Sequence, residues 1–151
     1  GIRPVGTALQ VARVLAGHAV DQPRVGRTDE ERRRGARGGV GLPGRPDVVM
    51  QGRRVALFVH GCFWHGHRCL YFKIPQTRQE FWLEKIGKNV QRDARDCEKL
   101  QALGWRVLIV WECALRGREK LDDEALSERV IEWICGGGDT AQIDTLGIHL
   151  L

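Results

Sequence analysis

The sequence lacks several features that would place it in well-defined classes of protein. Nothing in its 151 residues approaches the roughly eighteen uninterrupted apolar residues that a membrane-spanning helix needs. Its first residues do not have the layout of a signal peptide, and no internal repeat is present. Its five cysteines cannot all pair as disulfides. We therefore expect a soluble, cytoplasmic domain in which cysteines close to histidines bind a metal ion.

Acidic residues are fewer than basic ones. The chain has 24 Lys and Arg against 19 Asp and Glu, a net charge of +5 and a pI of about 9.2. This balance suits a polyanionic partner such as a nucleic acid, although many basic proteins bind none. The argument for nucleic acid depends on aromatic side chains that lie near the basic ones.

Residues 1–41 are predicted to form a basic N-terminal arm. Residues 8–19 (ALQVARVLAGHA) can form a short amphipathic helix. The segment that follows is rich in Arg and Gly and poor in large apolar residues, which is typical of a loop or flexible arm. Such an arm is either simply solvated or adds contacts to the phosphates of a nucleic acid.

The pattern from residue 42 to residue 151 predicts a mixed α/β sheet flanked by helices, with element order β-β-α-β-α. Residues 47–50 and 54–60 read as a β-hairpin, which would bring Asp47 close to His60. Thr77 and Glu80 have the spacing of a capping box, and the helix they open should reach about Leu103. The residues expected on its buried stripe are Leu83, Ile86, Val90, Cys97, Leu100 and Leu103.

A buried strand and a second helix are predicted to follow. Residues 105–111 (WRVLIVW) are almost continuously apolar, as in a strand covered on both faces. Asp122 or Asp123 can cap a helix that runs to about Ile134 and is ended by glycines. The tail to Leu151 has no predicted element.

A candidate zinc site begins in the segment RVALFVHGCFWHGHRC, residues 54–69. Cys62, His67 and Cys69 have the spacing C-x4-H-x-C, which can fill three corners of a zinc tetrahedron. Cys113 follows the WRVLIVW strand and is predicted to be the fourth ligand if the two strands lie side by side. A site without an open corner is structural. The alternative is a set of unrelated buried cysteines and surface histidines.

Asp47, His60 and His65 are the candidate catalytic residues. A carboxylate can bind Mg²⁺, and a histidine can orient or deprotonate the water that attacks a phosphodiester. Convergence of these residues at one end of the hairpin favours such a site. The alternative is that the histidines are structural.

Aromatic and basic residues near this segment are candidates for DNA contact. Phe63 and Trp64 lie between candidate ligands, where both can hardly be buried, and exposed aromatics can stack on bases. Trp82 could join them or belong to the core. Basic residues either line a phosphate path or form a solvated helix face: Lys73, Arg78, Lys85, Lys88, Arg92 and Arg95.

Four segments together resemble the bacterial very short patch repair (Vsr) family of mismatch endonucleases. They are LPGRPD (42–47), FVHGCFWHGHRC (58–69), FWLEKIGKNVQRD (81–93) and LGWRVLIVWECALRG (103–117). The resemblance covers roughly residues 42–151, which would form the endonuclease domain. It implies a restriction-endonuclease-like core, in which FVH replaces the usual E-x-K half of the nuclease motif.

The resemblance also implies an activity and its cofactors. The expected reaction is a Mg²⁺-dependent nick on the thymine strand of a T:G mismatch, in CT(A/T)GG-type sites left by deamination of 5-methylcytosine. Asp47 and the backbone carbonyl of Val59 would bind Mg²⁺, while His60 and His65 would act through water. Zn²⁺ would be structural, held by Cys62, His67, Cys69 and Cys113. Phe63, Trp64 and Trp82 would form a wedge beside the mismatch, with Lys85, Lys88 and Arg92 along the DNA.

The resemblance weakens before residue 42. The family has an N-terminal helix with an acidic residue near the site, and counting back without gaps places this acid on Asp21. The surrounding segment lacks an apolar helical pattern. The alternative function is therefore a zinc-stabilised DNA-binding protein that does not cut. The expected partner is double-stranded DNA with a T:G mismatch, with mismatch-repair proteins as further candidates, and the protein is expected to be monomeric, nucleoid-associated and without membrane contact.

Overall fold

A mixed β-sheet runs through the described part of the molecule. The structure is a computed structural model that describes residues 10, 11, 13, 24–25, 42–69 and 72–151. The strands in these ranges are β1 (Arg24–Val25), β2 (Val48–Met50), β3 (Val55–His60), β4 (Arg106–Trp111), β5 (Ala141–Asp144) and β6 (Gly147–Leu150). The helices are α1 (Gln79–Ala102), α2 (Glu112–Leu115) and α3 (Asp123–Gly136). None of the described helices is both long and apolar enough to cross a bilayer.

The six described strands lie in sequence order across the sheet. The pairs β1–β2, β2–β3 and β5–β6 are antiparallel, whereas β3–β4 and β4–β5 are parallel. The predicted mixed α/β sheet is therefore confirmed. The parallel register sets His60 opposite Trp111, so both strands end at the same edge.

The two faces of the sheet bury different side chains. Because side chains alternate along a strand, Leu57 and Val59 of β3 face a core that includes Val130 and Ile134 of α3. Ala56 and Phe58 face the opposite way, into a core with Leu100 of α1. Cys62, Trp111 and Cys113 belong to this second core. The candidate site residues that follow β3 and β4 consequently gather on the α1 side.

The sequence predicted most elements between residues 47 and 136. The hairpin, the long helix, the buried strand and the second helix are confirmed. Asp122 is the N-cap of α3, since its carboxylate accepts a hydrogen bond from the Ala125 N–H at 2.6 Å. Gly137 ends that helix with φ +68°, a conformation that glycine adopts without strain.

The predicted start of α1 is wrong. Thr77 and Glu80 do not form a capping box: the N-cap is Arg78, in the left-handed region at φ 58°, and no side chain caps the helix. The predicted stripe is also only partly buried. Ile86 and Leu100 are buried and Cys97 is half-buried, whereas Leu83, Val90 and Leu103 are exposed.

The sequence missed a strand pair at the end of the chain and a strand in the arm. β5 and β6 form a hairpin in the tail that had no predicted element. β1 lies within the segment predicted to be a loop and pairs with Val48 and Val49 of β2. Gln10, Val11 and Arg13 are helical, as predicted for residues 8–19, and the other residues of that prediction lie outside the described ones. So do Asp21 and most of the predicted arm.

Candidate active site and metal centre

The loop that follows β3 is held in place by its own backbone and by α1. The His67 N–H bonds the Cys62 carbonyl at 2.9 Å, and the His65 N–H bonds the Gly61 carbonyl at 3.2 Å. Gly66 has φ +70°, and a Cβ there would lie 3.0 Å from Val90 Cγ2. Only glycine fits both this conformation and the close approach of the helix. The loop therefore lies against α1 with its ligand-type side chains fixed.

The loop and the end of β4 bring four metal-binding side chains together. The donor atoms of Cys62, His67, Cys69 and Cys113 all lie within 4.8 Å of one another, a group named here the Cys/His cluster. Cys62 and Cys113 are buried, and Cys113 Sγ lies 3.8 Å from His67 Nδ1. The parallel pairing of β3 and β4 produces this convergence, since each strand delivers its cysteine just past the same edge.

A hydrogen bond between the Cys62 and Cys113 thiols shifts their pKa values in opposite directions. A hydrogen bond from Cys62 lowers the pKa of Cys113 to about 7, against the opposing effect of burial. The same hydrogen bond and burial raise the pKa of Cys62 well above its usual range. Burial lowers the pKa of His67 from its usual 6.5, which favours the neutral imidazole that ligates metals. This donor set fits Zn²⁺, because a divalent cation would replace the thiol protons and stabilise the thiolates.

An acidic residue of the C-terminal hairpin lies behind His67. Asp144 Oδ2 is 3.9 Å from His67 Nε2, the ring nitrogen opposite the one that faces Cys113. Asp144 is itself held, because its Oδ1 accepts from the Leu146 N–H at 2.8 Å and lies 3.1 Å from His149 Nε2. A carboxylate on the outer nitrogen of a metal-binding histidine is a common way to orient the ring. No role was predicted for this residue from the sequence.

His60 and His65 form a second group with an acid that was not predicted. Their imidazole rings are stacked, with centroids 3.8 Å apart and planes 5° apart. His65 Nδ1 lies 2.5 Å from Asp93 Oδ2, a distance at which the Nδ1–H donates to the carboxylate. The donor atoms of His60, His65 and Asp93 also lie within 4.8 Å of one another. His65 and Asp93 are both largely shielded from solvent.

Asp93 could have been found by helical spacing. Asn89 lies one turn before it, and its side chain donates to the Trp64 carbonyl at 2.9 Å. Residues four apart share a helix face, so Asn89 and Asp93 form one polar face of α1. Both contact the loop, which makes this face part of the site.

Asp47 lies directly before β2 and contacts Val59 near the end of β3. Its carboxylate is buried, and its Oδ2 accepts a hydrogen bond of 2.8 Å from the Val59 N–H. The hairpin thus places this carboxylate beside the residue that precedes His60. A buried carboxylate next to a main-chain segment matches the oxygen ligands that Mg²⁺ prefers.

Aromatic side chains from the loop and α1 form one cluster. The ring centroids of Phe63, Trp64 and Trp82 are mutually 5.2 to 5.8 Å apart, and Phe81 lies 5.2 Å from Trp82. We call these four residues the aromatic cluster. Trp82 therefore packs with the candidate wedge residues and not with the two cores of the sheet.

The predicted basic residues of α1 differ in their surroundings. The Lys85 ammonium lies 5.4 Å from the Trp64 ring and 5.9 Å from the Phe81 ring. Lys88 is exposed and pairs with Glu84 at 3.1 Å, and Arg92 is exposed. Of these three basic residues, Lys85 is therefore the one that contacts the aromatic cluster.

The sequence is similar to known mismatch endonucleases. A family model described as DNA mismatch endonuclease Vsr matches residues 34–71. The chain is 73% identical over 110 residues to the DNA mismatch endonuclease Vsr of Escherichia coli (strain K12). The aligned stretch covers 73% of this chain and 70% of that protein.

Two nicking enzymes are also similar over shorter stretches. Identity to the type II nicking enzyme V.XorIIP of Xanthomonas oryzae pv. oryzae is 53% over 74 residues, covering 49% of this chain and 54% of that enzyme. Identity to the type II nicking enzyme V.NmeAIP of Neisseria meningitidis serogroup A is 44% over 75 residues, covering 50% and 54%. The chain thus spans about half the length of these two relatives.

Proposed function

The chain belongs to the Vsr family of DNA mismatch endonucleases, and we propose that it nicks the thymine strand at T:G mismatches in CT(A/T)GG-type sites. Such mismatches arise by deamination of 5-methylcytosine. The observation that carries the proposal is the hydrogen-bonded pair of His65 and Asp93, stacked on His60, whose chain neighbour Val59 donates to the Asp47 carboxylate. These are the groups that hydrolysis of a phosphodiester requires.

Asp47 and Val59 would hold the catalytic Mg²⁺. The buried carboxylate of Asp47 and the main chain of Val59 already lie in contact, and both residues supply oxygen atoms, the donor type of this ion. Bound there, Mg²⁺ supplies positive charge that stabilises the phosphorane-like transition state. Burial of Asp47 keeps water from competing for the carboxylate.

His65 would take the proton from the attacking water. Its Nδ1–H donates to Asp93, so the lone pair is on Nε2 and the ring is held in one orientation. Asp93 also stabilises the imidazolium that forms when the proton arrives. His60 packs flat on the His65 ring and limits its rotation, which keeps the base in one place during the reaction.

The Cys/His cluster would hold a structural Zn²⁺. All four corners are supplied by protein side chains, so the site has no open position for chemistry. Its role would be to fix the loop after β3, which carries Phe63, Trp64 and His65 between Cys62 and His67.

The aromatic cluster would insert beside the mismatch. A T:G pair stacks and pairs less stably than T:A, so a wedge separates its base step at a lower cost. Lys85, whose ammonium lies 5.4 Å from the Trp64 ring, would contact a phosphate at the edge of the cluster. Lys88 and Arg92 lie on the same helix and would extend the phosphate contacts.

The proposed setting is DNA repair by a monomer acting on the bacterial nucleoid. The sheet with helices on both faces would be a restriction-endonuclease-like core. Mismatch-repair proteins are candidate partners, since the nick has to be passed to other enzymes.

The test is a nicking assay on matched duplexes. The protein is incubated with Mg²⁺ and a labelled CT(A/T)GG-type duplex that carries either a T:G mismatch or a T:A pair, followed by denaturing electrophoresis. We expect a cut on the thymine strand of the T:G duplex only, and none when Mg²⁺ is left out of the zinc-loaded protein. Equal cutting of both duplexes would refute the proposal. Mismatch-dependent binding without a cut would instead establish the DNA-binding alternative.

A further inference from the structure

One indole ring lies against three histidines, His60 at the end of β3 and His65 and His67 in the loop that follows it. The Trp111 ring is stacked on His67, with centroids 4.4 Å apart and planes 11° apart. It meets His60 edge-on, with centroids 5.5 Å apart and planes 67° apart. His65 lies at 6.5 Å in a similar edge arrangement. Trp111 therefore lies between the Cys/His cluster and the pair of stacked imidazoles.

The position of this ring is fixed on its other side. Its Nε1–H donates to Gln142 Oε1 at 2.8 Å, and Gln142 belongs to β5, next to β4 in the sheet. Trp111 is only 8% exposed, so breaking this hydrogen bond would leave a buried donor without an acceptor. The parallel register sets Trp111 directly opposite His60. The ring is thus held by the sheet and not by the loop.

We propose that Trp111 is a positioning residue that sets where His60 and His65 lie. This inference deepens the proposed function, since it assigns the residue that aligns the proposed general base. The indole packs face to face on His67 and edge-on against His60 and His65, and Gln142 keeps this ring in one orientation. His67 of the Cys/His cluster stacks on the same ring, so a displacement of His67 would act on His60 and His65 through Trp111.

A shift of the Trp111 ring would lower the rate of the proposed reaction. A misplacement of about 1 Å in a reacting group can slow a reaction by roughly a hundredfold. Replacing the indole by a smaller ring removes both the hydrogen bond to Gln142 and part of the surface that His60 packs against. The stacked pair would then lose its fixed separation while the sheet and the aromatic cluster stay as they are.

The experiment compares Trp111→Phe with Trp133→Phe. Trp133 is a matched control: it is also buried and its Nε1–H also bonds an acceptor, the Asp139 carbonyl at 2.7 Å, but it lies in the core on the opposite face. Gln142→Met is the second test variant, since it keeps the indole and removes only the acceptor.

The kinetic readout separates positioning from DNA binding. Under single-turnover conditions we expect Trp111→Phe to lower the nicking rate roughly tenfold to a hundredfold. Affinity for the T:G duplex and zinc content should stay within about twofold of the unmodified protein, and Gln142→Met should give a smaller loss of rate. Trp133→Phe should not change the nicking rate. A rate unchanged in Trp111→Phe, or one that falls only in proportion to DNA affinity, would overturn the inference.

A second readout does not depend on nicking. Nuclear Overhauser effects between the ring protons of His60 and His65 report their stacking directly, in the zinc-loaded protein without DNA. We expect these signals in the unmodified protein and in Trp133→Phe, and their loss in Trp111→Phe. If the unmodified protein fails to nick, the proposed function fails, yet this measurement still decides whether Trp111 positions the pair. Signals of equal strength in all three proteins would refute the role of Trp111.

Discussion

His65 and Asp93 are joined by a hydrogen bond of 2.5 Å between Nδ1 and Oδ2, although 28 positions separate them in the chain. The loop after β3 supplies the histidine and the middle of α1 supplies the acid. We expect Asp93→Asn to slow nicking by about a hundredfold, because the amide neither favours the correct tautomer nor stabilises the imidazolium. Single-turnover nicking measures this loss, with Glu98→Gln on the same helix as the control. Comparable losses in both variants would contradict the specific role of Asp93.

Asp47→Asn should abolish nicking and leave binding to the T:G duplex largely intact. The side chain keeps its size, and its oxygen can still accept from the Val59 N–H, so the hairpin should remain folded. The amide cannot supply the negative charge that a Mg²⁺ ligand provides. Nicking across a range of Mg²⁺ concentrations, together with a mobility shift, distinguishes the two effects. Full activity restored at high Mg²⁺ would show that Asp47 is not an essential ligand.

Cys113→Ser should remove the zinc, whereas Cys135→Ser should retain it. Cys113 belongs to the Cys/His cluster, while Cys135 is exposed and outside it. Native mass spectrometry gives the number of zinc ions per chain. If Cys113→Ser still carries one ion at the normal affinity, the fourth ligand is a different residue.

Zinc affinity should also fall as the pH falls. The pKa of Cys113 is lowered to about 7, so its thiolate is present above that pH and is lost below it. The pKa of Cys62 is raised, so zinc has to displace its proton at neutral pH as well. Affinity should therefore decrease by roughly tenfold per pH unit for each proton displaced, and more steeply below about pH 7. Competition with a chelator across this range measures the slope, and a flat profile would contradict thiol ligation.

Asp144→Asn should weaken zinc binding without removing any ligand. The carboxylate lies on the outer side of the His67 ring, and loss of such a partner typically costs about 10- to 100-fold in metal affinity. Asp139→Asn, at an exposed acid outside the Cys/His cluster, is the control. Chelator competition at one fixed pH compares the two. Equal affinities would mean that Asp144 does not orient His67.

Trp82→Ala should reduce preference for the mismatch. Trp82 contacts Phe63, Trp64 and Phe81, so its removal leaves the loop aromatics unsupported. Loss of one stacking aromatic costs about 1–3 kcal/mol of DNA binding. The ratio of affinities for T:G and T:A duplexes is the readout. Trp105→Ala, away from the aromatic cluster, should leave that ratio unchanged.

What the sequence predicted well depends on local pattern. The apolar run of β4 is long enough to identify a buried strand, and Cys113 directly after it is placed by the parallel register. Asp47 follows from hairpin geometry in the same way. Asp93 was missed because its four-residue spacing from Asn89 indicates a shared polar face of α1 but not that this face packs on the loop. β5 and β6 were missed because four-residue strands around a turn carry little periodic signal.

The start of α1 shows why a local motif can mislead. Thr77 and Glu80 satisfy the capping pattern, but Arg78 adopts φ 58° and the helix begins one residue later. A capping box needs an extended N-cap residue, and spacing alone does not ensure one.

The two faces of the sheet offer different freedom to protein engineering. On the described part of the chain, both groups of candidate ligands and Trp111 lie on the α1 side, while α3 packs against the other face. Substitutions that tighten the α3 core, or that improve its exposed surface, can therefore raise thermal tolerance without touching a catalytic group. A stabilised scaffold of this kind would tolerate the more damaging changes on the α1 side, where altered specificity has to be introduced.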